Sequence, residues 1–170
     1  MRRAALFAIA LAMLARARAE IKVGDRFPDV APAGLVVLGS EGKLPELSGQ
    51  VVLVDFWASW CAPCKASFPA MGRLYADFRA RGLVILAVSV DDRQAAAAGF
   101  WKKMAAPFVG AHDAAGKLVS EVNVPAMPTS YLIGRDGRVR QIHQGFHGDS
   151  TAREMRKEIE ALLAEPAPSL

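Results

Sequence analysis

Two cysteines, Cys61 and Cys64, are the whole thiol content of the chain, and they stand at C-x-x-C spacing. Such a pair has two chemical uses: a dithiol that exchanges with a disulfide, or half of a soft metal site. The residues in front of it, Val51-Val52-Leu53-Val54-Asp55-Phe56-Trp57, form a short apolar run rich in β-branched and aromatic residues, with Gly49 as punctuation. That pattern reads as a buried strand. Behind the pair, Phe68, Met71, Leu74, Tyr75 and Phe78 recur at steps of three and four, which predicts a helix from about Cys61 to Arg81. Cys61 therefore falls where a strand hands over to a helix. Unpaired N–H groups and the positive end of the helix dipole meet there and stabilise a thiolate, which makes Cys61 a usable nucleophile near neutral pH. Cys64, one turn further in, can close a disulfide with Cys61 within one short loop. So small a loop removes little entropy from the unfolded chain, which favours chemistry over stapling. The metal alternative needs further ligands. His143 and His147 have H-x3-H spacing, but a zinc finger separates its ligand pairs by about 12–15 residues, and His143 lies far beyond that. No metal and no cofactor is expected.

The elements that must position this pair fit one domain. The chain has 170 residues and 52% of them are apolar, enough for a sizeable core. The N-terminus reads separately. Arg2 and Arg3 precede an uncharged run of 12 residues from Ala4 to Ala15, and Ala17-Arg18-Ala19 follows before Glu20. This is the layout of a secretory signal, with a run shorter than the ~20 residues that span a membrane. The expectation is a signal peptide over residues 1–19 and one domain over 20–170, its core about 23–164, in the periplasm. An uncleaved membrane anchor is the alternative. The chain carries 21 basic and 17 acidic residues; without the four arginines of residues 1–19 the balance is 17 to 17. The basic excess thus belongs to the targeting segment, and no nucleic-acid partner is expected.

Taken in order, Leu35 to Leu38 and Lys43-Leu44 flank Gly39-Ser40-Glu41-Gly42, a predicted hairpin. The central strand and the cysteine helix follow, with Pro63 in the first turn, Pro69 as an expected kink and Gly82 as the stop. Leu83 to Val90 reads as a strand covered on both faces. Asp91-Asp92 is expected to cap a helix from about Arg93 to Met104. A short strand over Phe108 to Ala111 and a short helix over Lys117 to Val122 come next. A Pro-rich stretch through Pro125 and Pro128 leads to a strand from Ser130 to Ile133, a turn at Asp136-Gly137, a strand from Val139 to Gln144 and a closing helix from Thr151 to Ala164. The order predicts a sheet that is parallel at the start and antiparallel at the finish.

The segment Val54-Asp55-Phe56-Trp57-Ala58-Ser59-Trp60-Cys61-Ala62-Pro63-Cys64-Lys65, with Pro128 to Gly137 matching Pro-Thr-x-x-x-Ile-x-x-Asp-Gly, resembles the TlpA/ResA-like (DsbE/CcmG-related) branch of exported thioredoxin-fold proteins. The resemblance implies an α/β thioredoxin fold: a central mixed β-sheet flanked by helices, here with an N-terminal hairpin extension and a strand–helix element inserted after Ser89-Val90-Asp91-Asp92. It implies that Cys61 is the nucleophile and Cys64 the resolving thiol. Asp55 matches the buried acid of thioredoxins; burial raises a carboxyl pKa, and such an acid can take the proton of Cys64. Pro128 matches the cis-proline that packs against the cysteines, which offers the Met127 backbone to an extended substrate. Trp60, beside the nucleophile, is expected to shape the substrate rim. The chain departs from the branch at Ser67, where many of its members carry a glutamate, and it keeps an acid at Asp55, which some of them lack.

The expected activity is that of an exported thiol–disulfide oxidoreductase, a reductant of protein disulfides such as apocytochrome c or copper-site cysteines. Exported compartments are oxidising, so a membrane thiol–disulfide electron donor must recharge it. A monomer is expected. Two alternatives are a disulfide-donating oxidase and a non-enzymatic Cu(I) carrier using Cys61, Cys64 and Met127. A peroxidase of the peroxiredoxin class shares the fold but needs a Pro-x-x-x-Thr motif before its cysteine, which is absent.

Overall fold

The computed structural model describes residues 20–39 and 42–166. The expected leader over 1–19, the Ser40-Glu41 turn and residues 167–170 lie outside the described residues. Six strands form one mixed sheet: β1 (Val36–Leu38), β2 (Val51–Trp57), β3 (Leu83–Ser89), β4 (Val109–His112), β5 (Thr129–Ile133) and β6 (Val139–Gln144). Among the described residues four α-helices accompany them: α1 (Ala62–Phe78), α2 (Gln94–Met104), α3 (Lys117–Val122) and α4 (Asp149–Ala164). The spatial order is β1-β4-β3-β2-β5-β6. Strands β2, β3 and β4 run parallel, while β5 lies antiparallel to β2, and β6 to β5. The parallel start, the antiparallel finish and the element inserted after β3 are as the sequence predicts.

All seven residues of β2 are buried because both faces of the strand are covered. Alternation along the strand divides them. Leu53 and Trp57 join Met71, Leu74 and Phe78 of α1 and Met155 and Ile159 of α4 in one core layer. Val52, Val54 and Phe56 join Leu118 and Val122 of α3 and Phe27 and Val30 of the lead-in in the other. Burying each large apolar side chain stabilises the fold by roughly 1.5–3 kcal/mol. The position of Asp55 therefore decides its environment: it shares the α1 face with Leu53 and Trp57.

Helix α1 buries Cys64, Ser67, Phe68, Met71, Leu74 and Phe78, a single stripe at helical spacing. Pro69 removes one ladder bond on the exposed side of the helix, where water can replace it, and the helix runs through it to Phe78. A 3₁₀ turn over Arg79–Arg81 follows, and Gly82 ends it at φ 100°, a left-handed conformation that suits glycine. Trp101 of α2 stacks against β4 at Gly110, where a Cβ would stand 2.5 Å from the indole ring.

Two sequence expectations are corrected. Val36–Leu38 does not form a hairpin with Lys43-Leu44; it pairs antiparallel with β4, Val36 opposite His112 and Leu38 opposite Gly110, and Lys43-Leu44 is not in a strand. An open β4 edge beside a covered sheet offers the short strand a full ladder, which a local hairpin of two residues does not. Asp91 does not cap α2, whose N-cap is Arg93 with no side-chain capping bond. The Asp91 carboxylate faces the loop before Cys61 instead.

Candidate active site

Strand β2 delivers the chain to the cysteines through Ala58-Ser59-Trp60. The turn closes when the Cys61 N–H donates to the Ala58 carbonyl at 3.1 Å. Cys61 is the N-cap of α1, with extended φ −86° and ψ 108°, and its Sγ accepts from the Cys64 N–H at 3.2 Å. A sulfur thus occupies the place of a capping oxygen, against the positive end of a 17-residue helix. Pro63 lies in the first helical turn, where the missing N–H costs nothing. Cys61 and Cys64 form a disulfide with Cα atoms 5.3 Å apart. Cys61 keeps 5% exposure and Cys64 none, so both sulfurs are buried and Cys61 is the more accessible of the two. Cys64 faces inward because it heads the buried stripe of α1.

Asp55 is fully buried on the same face of the sheet as the α1 layer. Its Oδ1 accepts a 2.5 Å hydrogen bond from the Ser130 hydroxyl, its cross-strand partner on β5. Its Oδ2 has no hydrogen-bond partner among the described residues. Loss of water raises the carboxyl pKa from 3.8 to about 7, and the Ser130 hydrogen bond lowers it by less. A carboxyl so poised can accept or return a proton at neutral pH.

Trp60, 73% exposed, stands next to Cys61 on the outer surface. Pro128 is buried and Met127 half-buried, and the Met127–Pro128 peptide bond is cis. Thr129 pairs with Phe56, so Pro128 sits where β2 leaves the sheet for the cysteine loop. Met127 packs against the core layer that holds both cysteines. Neither its N–H nor its C=O has a hydrogen-bond partner among the described residues. Lys65 is exposed.

Sequence reasoning missed the device that holds the cysteine loop. The Asp91 carboxylate, 4% exposed, accepts from the Ser59 N–H at 3.0 Å, from the Ser59 hydroxyl at 2.7 Å and from the Ser89 hydroxyl at 2.8 Å. The Asp91 carbonyl in turn lies 2.6 Å from Nε2 of His112, a ring 1% exposed at the end of β4. Ser67, at the position of the missing glutamate, turns its hydroxyl back to the Cys64 carbonyl at 2.9 Å and leaves no acid there. The structure does not gather His143 and His147 with the cysteines. His143 pairs with Glu158 of α4 at 2.6 Å, and no group of three or more potential ligands converges among the described residues.

Comparison with known proteins gives the family and the fold of the chain. The family model described as Redoxin matches residues 22–163. The thiol-disulfide oxidoreductase ResA of Oceanobacillus iheyensis is 36% identical over 126 residues, which cover 73% of this chain and 66% of that protein. The protein of the same name from Bacillus thuringiensis subsp. konkukian is 32% identical over 143 residues, 82% of this chain and 80% of the relative. A crystal structure described as the thiol:disulfide interchange protein DsbE from Chlorobium tepidum superposes with a TM-score of 0.74 at 34% identity, covering 85% of this chain and 100% of that one.

Proposed function

The chain belongs to the redoxin family and is a thiol-disulfide oxidoreductase of the ResA/DsbE type, and from that premise we propose that it reduces protein disulfides in an exported compartment. The observation that carries this reading is the placement of Cys61 as a helix N-cap beside Cys64, with Asp55 buried on the facing strand.

The steps follow from the roles the geometry supports. The Cys61 thiolate, stabilised by the α1 N-terminus, attacks one sulfur of the substrate disulfide. A Cys61–substrate bond forms, the substrate S–S bond breaks, and the second substrate sulfur leaves as a thiolate. The Asp55 carboxylate then takes the proton of the Cys64 thiol, and the Cys64 thiolate attacks Cys61 Sγ. The Cys61–Cys64 disulfide forms, and the remaining substrate sulfur leaves with the electron pair. Two electrons pass from the dithiol to the substrate. Met127 supplies open backbone groups for an extended substrate beside Pro128, and Trp60 supplies an apolar rim. The candidate substrates are haem-site cysteines of apocytochromes c and copper-site cysteines.

A membrane dithiol donor recharges the pair, since an oxidising compartment does not. The Arg2-Arg3 start, the uncharged Ala4 to Ala15 run and Ala17-Arg18-Ala19 support export, with residues 1–19 as leader and 20–170 as the working domain. The deciding experiment is a reduction potential, read from tryptophan fluorescence in thiol buffers, since Trp57 lies in the core layer of the cysteines. A value near about −270 mV marks a reductant; a value near about −120 mV marks an oxidant and overturns the direction.

A further inference from the structure

Asp55 lies at the buried end of a row of polar residues that crosses the sheet. Asp55 on β2 is paired with Ser130 on β5, and Ser130 with His143 on β6. Residues directly opposed on neighbouring strands point to the same face, with Cβ atoms about 4.5–5.5 Å apart. All three side chains therefore point to the α4 side of the sheet. Helix α4 completes the row, since Glu158 Oε2 lies 2.6 Å from Nε2 of His143. Exposure rises along it. Asp55 is at 0% and Ser130 at 4%, and the side chains of His143 and Glu158 are at 12% and 24%.

These are unusual residues for this place. Around the row that face is packed with Leu53, Leu132, Met155, Ile159 and Leu162. A buried serine and a largely buried His–Glu pair cost free energy there unless they serve one another. Asp55 with Ser130 and His143 with Glu158 are hydrogen-bonded pairs, whereas Ser130 and His143 are opposed across the β5–β6 ladder with no hydrogen bond between them among the described residues, so the Ser130 hydroxyl must turn from Asp55 to reach His143. A serine hydroxyl donates one hydrogen and accepts on its lone pairs. Nε2 of His143 faces Glu158 Oε2, and in the tautomer that carries its hydrogen on Nε2 the Nδ1 lone pair can accept. Glu158 is the charged group that the packing elements bring to His143, and the Ser130 bond is the one polar contact of Asp55 among the described residues.

We propose that Ser130, His143 and Glu158 form a proton route between the buried Asp55 and solvent on the α4 side of the sheet. The proposal rests on the reading of Asp55 as the base for Cys64. After that step Asp55 holds a proton with no direct exit. The Asp55 proton passes to Ser130 Oγ as the serine hydrogen passes to His143 Nδ1, and the Nε2 hydrogen passes to Glu158, which releases a proton to water. One proton enters at Asp55 and one leaves at Glu158, with no change in oxidation state. The route runs in reverse when the Cys61–Cys64 disulfide is reduced and the Cys64 thiolate needs a proton.

The test is a single-turnover assay of the reduced full chain with a peptide disulfide, in weak buffer. Formation of the mixed disulfide and release of the second thiol are timed separately. His143→Gln keeps a hydrogen bond to Glu158 but cannot relay a proton; His143→Ala leaves room for imidazole. The expected result is release slowed at least about tenfold in both variants, unchanged attack by Cys61, and restoration of His143→Ala by added imidazole. Wild-type release in both variants, with Asp55→Asn slow, overturns the route and leaves Asp55 as base. Slow release that imidazole does not restore assigns His143 a packing role and overturns the route. Wild-type release in Asp55→Asn overturns the route together with the reading beneath it.

Discussion

The Ser130 hydroxyl lies 2.5 Å from Oδ1 of Asp55, while Oδ2 of the same carboxyl has no partner among the described residues. One hydrogen bond against full burial leaves the carboxyl half-compensated, and its pKa rises to about 7. Linkage sets the sign of the consequence. The folded state binds a proton that the unfolded state has lost between pH 3.8 and about 7, so Asp55 makes stability fall as pH rises through that window. Above it the full penalty is present, of order 4 kcal/mol. Asp55→Asn should therefore raise the thermal midpoint at pH 8 and lose most of that advantage at pH 4. A pH-independent difference, or a destabilised variant at pH 8, contradicts the unbalanced carboxyl.

The same substitution separates stability from activity. Asn cannot take a proton from Cys64, so attack by Cys61 continues while resolution slows by about 10²–10⁴-fold. Mixed disulfides between Cys61 and substrate should accumulate and be visible on non-reducing gels. Equal turnover with no trapped species removes Asp55 from the mechanism.

The strand–helix unit around the cysteines was legible because two periodicities meet there. Seven residues of β2 are buried on both faces, and α1 buries one helical stripe headed by Cys64. What stayed hidden depends on pairing between distant strands. Gly39 and Gly42 make a local turn plausible, yet Val36 finds its partner in His112 across the sheet. Asp91-Asp92 before a helix reads as a cap, but the Ser59 N–H on another loop competes for the Asp91 carboxylate and wins. His143 and His147 suggest a metal site by spacing, whereas the register that sets His143 opposite Ser130 appears only once β5 and β6 are paired.

Asp91 holds Ser59 through both the backbone N–H and the hydroxyl, two residues before Cys61. Asp91→Ala leaves those half-buried donors without their carboxylate partner, at a cost of about 2–3 kcal/mol. Ser59→Ala removes one bond and keeps the backbone contact, at a cost of about 1 kcal/mol. Urea midpoints should fall in that order. Equal midpoints for the two variants contradict the backbone contact as the stronger constraint.

Gly110 is a steric requirement of the core. A Cβ there meets the Trp101 ring at 2.5–2.6 Å, and Trp101 is held by Trp57, Phe68 and Phe108. The indole cannot retreat without disturbing the aromatic cluster under the cysteines. Gly110→Ala should destabilise the fold by about 1–3 kcal/mol, as overpacking does. It should also change the emission of Trp57. An unchanged melting temperature would show that the cluster yields more easily than its geometry implies.

Trp60 gives the most direct test of the substrate rim. Its side chain is 73% exposed beside a nucleophile, so it contributes little to the folded state. An aromatic ring that a peptide covers is worth about 1–2 kcal/mol of binding, or roughly five- to thirtyfold in affinity. Trp60→Ala should keep the wild-type melting temperature and the intrinsic reactivity of Cys61 toward a small alkylating reagent. KM for a peptide disulfide should rise by about that factor with little change in kcat, the signature of binding lost equally from ground and transition states. If kcat falls and KM holds, Trp60 orders the cysteine loop rather than the substrate. The alkylation rate of Cys61 would then change with it.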